Sequence, residues 1–87
     1  MVAEKEKCKG QEINVGRVKS IDHCANKCRQ KSSMFVFGTN DYGKNVCNNQ
    51  GCECYCETGA KADGTCKTVK NNGYRLYRST DMGKYEL

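Results

Sequence analysis

The chain has 87 residues, of which 37% are apolar, 15 are Lys or Arg and 10 are Asp or Glu, giving a formal net charge of +5 at pH 7. A domain this short has no room for a large core, and below roughly 80 residues a core alone contributes no more than ~3–5 kcal/mol. The longest apolar run, Met34-Phe35-Val36-Phe37, falls far short of the ~20 residues of a membrane helix. Eight cysteines, an even number, offer the missing stability. Paired as disulfides, each closing a loop at a gain of about 3 kcal/mol, they point to an oxidised, secreted scaffold with an extracellular location.

In chain order, residues 1–7 mix Glu and Lys, hold nothing to bury and lack the apolar stretch of a signal peptide. They are expected to form a flexible N-terminal arm on a mature secreted chain, ahead of a domain spanning residues 8–78. Ile13 and Val15 alternate with polar neighbours in a weak strand signal that Gly16 interrupts. A helix follows over residues 20–31. Ser20 is a good N-cap, Asp22 complements the dipole in the first turn, and Lys27, Arg29 and Lys31 complement it at the end. Ile21, Cys24, Ala25 and Cys28 recur at i, i+3, i+4 and i+7, so both thiols share the apolar face.

Met34-Phe35-Val36-Phe37 reads as a strand, and Gly38-Thr39-Asn40-Asp41-Tyr42-Gly43 as a loop dense in turn formers. In the run after Cys47, period-2 alternation puts Cys52, Cys54 and Cys56 on one side of a strand and Glu53, Tyr55 and Glu57 on the other, which is expected to face solvent. Asp63-Gly64 marks a turn before Cys66, and Asn72-Gly73 predicts a hairpin between Thr68-Val69-Lys70 and Tyr74-Arg75-Leu76-Tyr77-Arg78. Residues 79–87 are expected to trail off as a C-terminal tail. The fold class is therefore α+β: a small disulfide-rich domain with one helix packed on an antiparallel β-sheet. Its expected core sets Ile21, Cys24, Ala25 and Cys28 against Phe35, Phe37 and the inner cysteines, with Ile13, Val69 and Leu76 completing it.

The Ser-x-x-x-Cys-x-x-x-Cys helix within residues 18–28, the aromatic strand Phe35-Val36-Phe37-Gly38 and the cysteine-bearing strand after it resemble the PAN/apple module over roughly residues 8–78. The resemblance implies one helix cradled by an antiparallel sheet. It also implies that the two helix cysteines are tied to the sheet; Cys24 and Cys28 are accordingly expected to pair with the strand holding Cys52, Cys54 and Cys56, Cys8 with Cys66, and Cys47 with the remaining strand cysteine. Ser33 and Met34 stand where such modules usually carry a cysteine, and no cysteine follows Cys66. PAN/apple domains bind proteins or carbohydrates outside the cell, and this is what the resemblance implies for function.

Other chemistry is less well served. Cys47, Cys52, Cys54 and Cys56 are similar to a metallothionein-like cluster, with His23 beside Cys24, but alternate thiols on a strand are poorly arranged for one tetrahedron, so neither metal nor cofactor is expected. His23 is the lone histidine, fully bridged cysteines leave no nucleophile, and no phosphate-binding glycine loop is present, so the chain is read as no enzyme. The expected function is binding of an extracellular protein or receptor, as a signalling factor or inhibitor-like effector. The alternative is a lectin-like or adhesive module for carbohydrate or matrix. Lys27, Arg29 and Lys31 at the helix end, with Lys67, Lys70, Arg75 and Arg78 on the closing segment and Tyr74 and Tyr77 between them, suit sulfated or carboxylated partners; an ordinary solvated surface has the same composition. Neither nucleic acid nor membrane insertion is expected.

Overall fold

The computed structural model describes residues 1–79. Six strands build a single sheet: β1 (Ala3–Cys8), β2 (Glu12–Val18), β3 (Met34–Gly38), β4 (Cys47–Asn48), β5 (Gly51–Glu57) and β6 (Thr68–Arg78), with one helix, α1 (Ile21–Cys28), after β2. The order is β1-β6-β3-β5-β2, and β4 pairs with β5. All pairings are antiparallel. Strand dominates this architecture, and the single helix covers part of one face, against β2, β3 and β5.

Helix α1 starts where its cap predicts: the Ser20 hydroxyl accepts the His23 amide at 3.2 Å. It ends at Cys28, earlier than the basic run suggests, and the next residues turn back through Lys31 N–H to Cys28 carbonyl at 2.8 Å. Its buried face is Cys24, Ala25 and Cys28. These pack on Phe35, Val18, Tyr77, Cys54 and Cys56, with Ile21, Val15 and Phe37 half-buried around them. Phe35 stacks on its cross-strand partner Tyr77, ring centroids 5.3 Å apart.

Four disulfides bind the layers: Cys24–Cys54, Cys28–Cys56, Cys8–Cys66 and Cys47–Cys52. The pairing agrees with the expected one, and it decides what the expectation left open, namely which helix cysteine meets which cysteine of β5. The first two are possible because one helical turn between the thiols of α1 matches two residues of strand, which brings each thiol over its own partner.

The opposite face of the sheet is a second core rather than a solvated surface. Met34, Val36, Leu76, Tyr74, Cys8 and Val46 are buried there. Strand alternation sends Glu53, Tyr55 and Glu57 to this side, so the expectation that they face solvent is corrected: Glu57 is 0% exposed, and Tyr55 and Glu53 are half-buried. The cover is chain without regular secondary structure from the segments around Val46, Ala60 and Cys66, which pack on this cluster. Leu76 belongs to this second core, whereas Ile13 and Val69, both expected inside, are 41% and 37% exposed.

Two further expectations are corrected. Residues 3–8 are no free arm but strand β1, in register with β6 from Ala3 opposite Leu76 to Cys8 opposite Thr68. Backbone pairing holds a segment with few apolar side chains, a source of order that side-chain pattern does not reveal. Nor does Asn72-Gly73 turn a hairpin, because β6 runs through it as one strand. The register with β1 slips between Glu4 and Glu6, opposite Arg75 and Lys70 respectively, so the Asn-Gly pair sits in a bulge. Gly73 supplies the φ of 99° that the bulge requires, and its carbonyl accepts the Thr39 amide at 2.8 Å. Of the expected tail, Ser79 is buried and donates its amide to Ser33 at 2.8 Å; the rest lies outside the described residues.

Candidate recognition surfaces

The nine residues expected at a binding surface separate into three groups. Lys27, Arg29 and Lys31 are exposed at the end of α1, and Arg29 and Lys31 line an open groove of about 710 Å³. Ser32, Ser33, Ala60 and Ala62 form its walls, and Ser79 and Gln30 complete the lining. The serine hydroxyls are already committed, Ser32 to the Glu57 carbonyl and Ser33 to the Lys61 carbonyl, so they fix the wall. Arg78 reinforces the same end of the molecule by donating Nε to the Gly64 carbonyl at 2.6 Å, within the turn that follows Ala62. No acid lies among the described residues that line the groove.

Lys67 and Lys70 are exposed elsewhere, on the pairing of β6 with β1, where Lys70 faces Glu6 in register and the Lys67 carbonyl accepts the Lys9 amide at 2.7 Å. The third group is internal. Tyr77 is 6% exposed beneath Phe35, and Tyr74 is 9% exposed with its hydroxyl on Glu53 Oε1. Burial, then the Glu53 carboxylate, raise the Tyr74 phenol above its ordinary value. Placing either tyrosine on an exposed patch is therefore corrected: on a sheet covered on both sides, alternate residues of β6 enter one core or the other.

Arg75 is likewise occupied. Its Nη2 holds Asp41 Oδ2 at 2.9 Å and its Nε donates to the Tyr42 hydroxyl at 3.0 Å, while that hydroxyl donates to Glu4 Oε1 at 2.6 Å. Lys5 Nζ stands 4.9 Å from the Tyr42 ring centroid. This cluster fastens a 3-10 turn, Asn40–Tyr42, to β1 and β6. The sequence shows each charge but not which charges meet, since Glu4, Asp41 and Arg75 come from distant segments.

A second depression of about 320 Å³ lies beside this cluster. Ile21, Phe37 and Tyr77 give it an apolar floor, the Cys47–Cys52 disulfide closes one side, and Asp41 and Arg75 stand at its rim. Only Arg75 and Tyr77 of this constellation carry a signal in the sequence; Ile21 and Phe37 read as core because their periodicity matches core.

The sulfurs of Cys24, Cys28 and Cys54 lie within 4.8 Å of one another, a spacing that reduced thiols could use for a metal ion. All three are spent in disulfides, and a disulfide sulfur is no thiolate ligand. No helix among the described residues is long and apolar enough to cross a membrane. Comparison with protein-family models, with curated proteins and with solved structures yields no match to this chain.

Proposed function

We propose that the chain is a secreted, disulfide-stabilised recognition module of PAN/apple type that performs no catalysis and binds an extracellular protein or receptor, as a signalling or inhibitor-like effector. The depression over Ile21, Phe37 and Tyr77 carries this reading. An apolar centre with an Asp41–Arg75 rim is the anatomy of a protein interface, in which a desolvated centre supplies affinity and the rim supplies orientation. Four disulfides support the extracellular setting, and the bridging of both helix cysteines to one strand supports the PAN/apple assignment.

The second reading, recognition of a sulfated glycan, is favoured by the exposed basic run Lys27, Arg29 and Lys31 at the end of α1, beside an open groove. The two readings place the contact at different ends of α1, so mutation separates them. Ile21→Glu puts a charge in the apolar depression while adding a negative charge at the first turn of the helix, where it is tolerated. The labelled oxidised protein is bound to cells before and after enzymatic removal of sulfated glycans. Protein recognition predicts binding that survives this removal and falls at least ~10-fold in Ile21→Glu. Glycan recognition predicts loss on removal, a steep salt dependence, and weakening in Arg29→Ala/Lys31→Ala. Binding unchanged in both variants sinks both readings.

A further inference from the structure

Strands β1 and β2 stand at opposite ends of the sheet order, yet only Lys9, Gly10 and Gln11 separate Cys8 from Glu12. The sheet therefore curls until its two edges converge at this end. Polar contacts from β1 close the seam: the Cys8 amide donates to Glu57 Oε1 at 2.8 Å and Lys7 Nζ meets Glu12 Oε1 at 3.4 Å. At its centre Glu12 and Glu57 are direct register partners on β2 and β5. The remaining oxygen of each, Oε2, is buried and finds no hydrogen-bond partner among the described residues.

Two orphan carboxylate oxygens side by side are costly in a low-dielectric site, and one proton between them satisfies both. Lys7 makes its ion pair with Glu12, whereas the hydrogen bond to the Glu57 carboxyl comes from the Cys8 amide, so Glu57 is the member of the pair that takes the proton. We propose that Glu57 carries a proton on Oε2 and donates it to Glu12 Oε2, forming an acid–carboxylate latch between β5 and β2 where β1 meets them at the seam of the curled sheet. Burial, and then the adjacent Glu12, push the Glu57 carboxyl up to about 8, against the downward pull of the Cys8 amide and Lys7. The groups facing the pair are Lys7 and the Cys8 amide from β1 and the two acids themselves; Tyr55 of β5 also senses the Glu12 charge. When Glu57 ionises, its proton passes to solvent base and two carboxylates face each other, and their repulsion loosens the pairing of β2 with β5 at this end. The latch makes the seam tight in mildly acidic surroundings and looser in alkaline ones.

Carboxyl-carbon NMR of the oxidised full chain, from about pH 3 to about pH 10, tests this directly. The expected result is a Glu57 midpoint near 8 in place of the ordinary 4.5, falling by ~1 pH unit or more in Glu12→Gln. A Glu57 midpoint in the ordinary carboxylate range, or one unmoved by Glu12→Gln, overturns the proposal. Should Glu12→Gln fail to fold, Glu57→Gln decides the matter, since its amide keeps an acceptor for Cys8 and a donor for Glu12. The latch then requires that the wild type lose stability as pH rises between about pH 5 and pH 8 and that Glu57→Gln lack this loss; equal profiles for the two proteins overturn it.

Discussion

The two faces of one sheet are buried in this domain by different means. On the helix face, an eight-residue helix is joined covalently to β5 at Cys24–Cys54 and Cys28–Cys56, and what fills the space is apolar: Phe35, Ala25, Val18 and the stacked ring of Tyr77. On the other face, irregular chain covers Met34, Val36 and Leu76, and polar groups share the interior. Glu53 there receives the hydroxyls of Tyr74 and Tyr55 and pairs with Arg17 at 3.3 Å, while Arg17 also donates to the Val46 carbonyl at 2.7 Å. A helix satisfies its own backbone and can cover a face with apolar side chains alone. Irregular chain leaves backbone groups to be satisfied, so the face that it covers must carry polar partners.

The largest effect expected from breaking this arrangement is that of reduction. The oxidised protein should weigh eight hydrogens less than its reduced form, one pair for each of the four bridges, and cooperative thermal unfolding should disappear after reduction. Single bridges should rank by loop length: the loop-closure relation assigns about 4 kcal/mol to Cys8–Cys66 and about 2 kcal/mol to Cys47–Cys52, whose separations are 58 and 5 residues. Denaturant melts of the paired Cys→Ala variants measure this ranking. A larger loss at Cys47–Cys52 would show that native-state geometry outweighs chain entropy here.

Packing is the next lever, and it tests whether both faces are true cores. Phe35→Ala on the helix face should cost about 3–5 kcal/mol and Leu76→Ala on the other about 2–5 kcal/mol, both residues being 0% exposed. Ile13→Ala and Val69→Ala should stay within about 0.5 kcal/mol in the same melts. A small loss at Leu76 would mean that the irregular cover yields and refills the space.

Rising pH should weaken the face with the acids and spare the one without them. The folded Glu57 value is raised, so between about 4.5 and 8 the folded chain holds a proton that the unfolded chain has released. Stability is therefore fully present below the unfolded value and is lost as pH climbs through the folded one, at up to ~1.4 kcal/mol per pH unit. Amide exchange corrected for base catalysis should show the pairing of β2 with β5 around Glu12 and Glu57 losing protection across this window while Cys24 in α1 keeps its own.

Among the losses expected from removing a contact, the smallest is local to the helix. Ser20→Ala removes the acceptor for the His23 amide and should cost about 1 kcal/mol. Because the two disulfides still clamp α1, circular dichroism should retain the helix, and the loss should register only in the unfolding midpoint.

Several of these features are legible in the amino-acid order because they depend on neighbours. The Ser20 cap, the inward stripe of α1 and the alternation of Cys52, Cys54 and Cys56 are rules of one or two turns or of a few strand residues, so periodicity reveals them. Oxidation follows from composition in the same way. Where β1 pairs is different: Glu and Lys in its segment describe a solvated arm equally well, and backbone hydrogen bonds to a strand 60 or more residues away carry no side-chain signature. The same limit applies to Asn72-Gly73, whose local preference for positive φ serves a hairpin or a bulge alike, and the partner strand selects between them.

The candidate surfaces divide along the same line. Arg29 and Lys31 stay exposed because they follow the end of a helix whose other face is buried, and that is written in the sequence of α1 itself. Tyr74, Tyr77 and Arg75 lie inside or in ion pairs because the tertiary structure covers both sides of β6, and Glu57 becomes a buried acid for the same reason. Sequence by itself determined the start and inward face of α1, the strand at Phe35, the alternation of β5 and the need for four bridges, since propensity, capping and the thiol count act within short reach or on the whole chain at once. Only the tertiary structure decided which face of each strand meets water, because alternation names two sides of a strand and leaves it to distant chain to cover one of them or both.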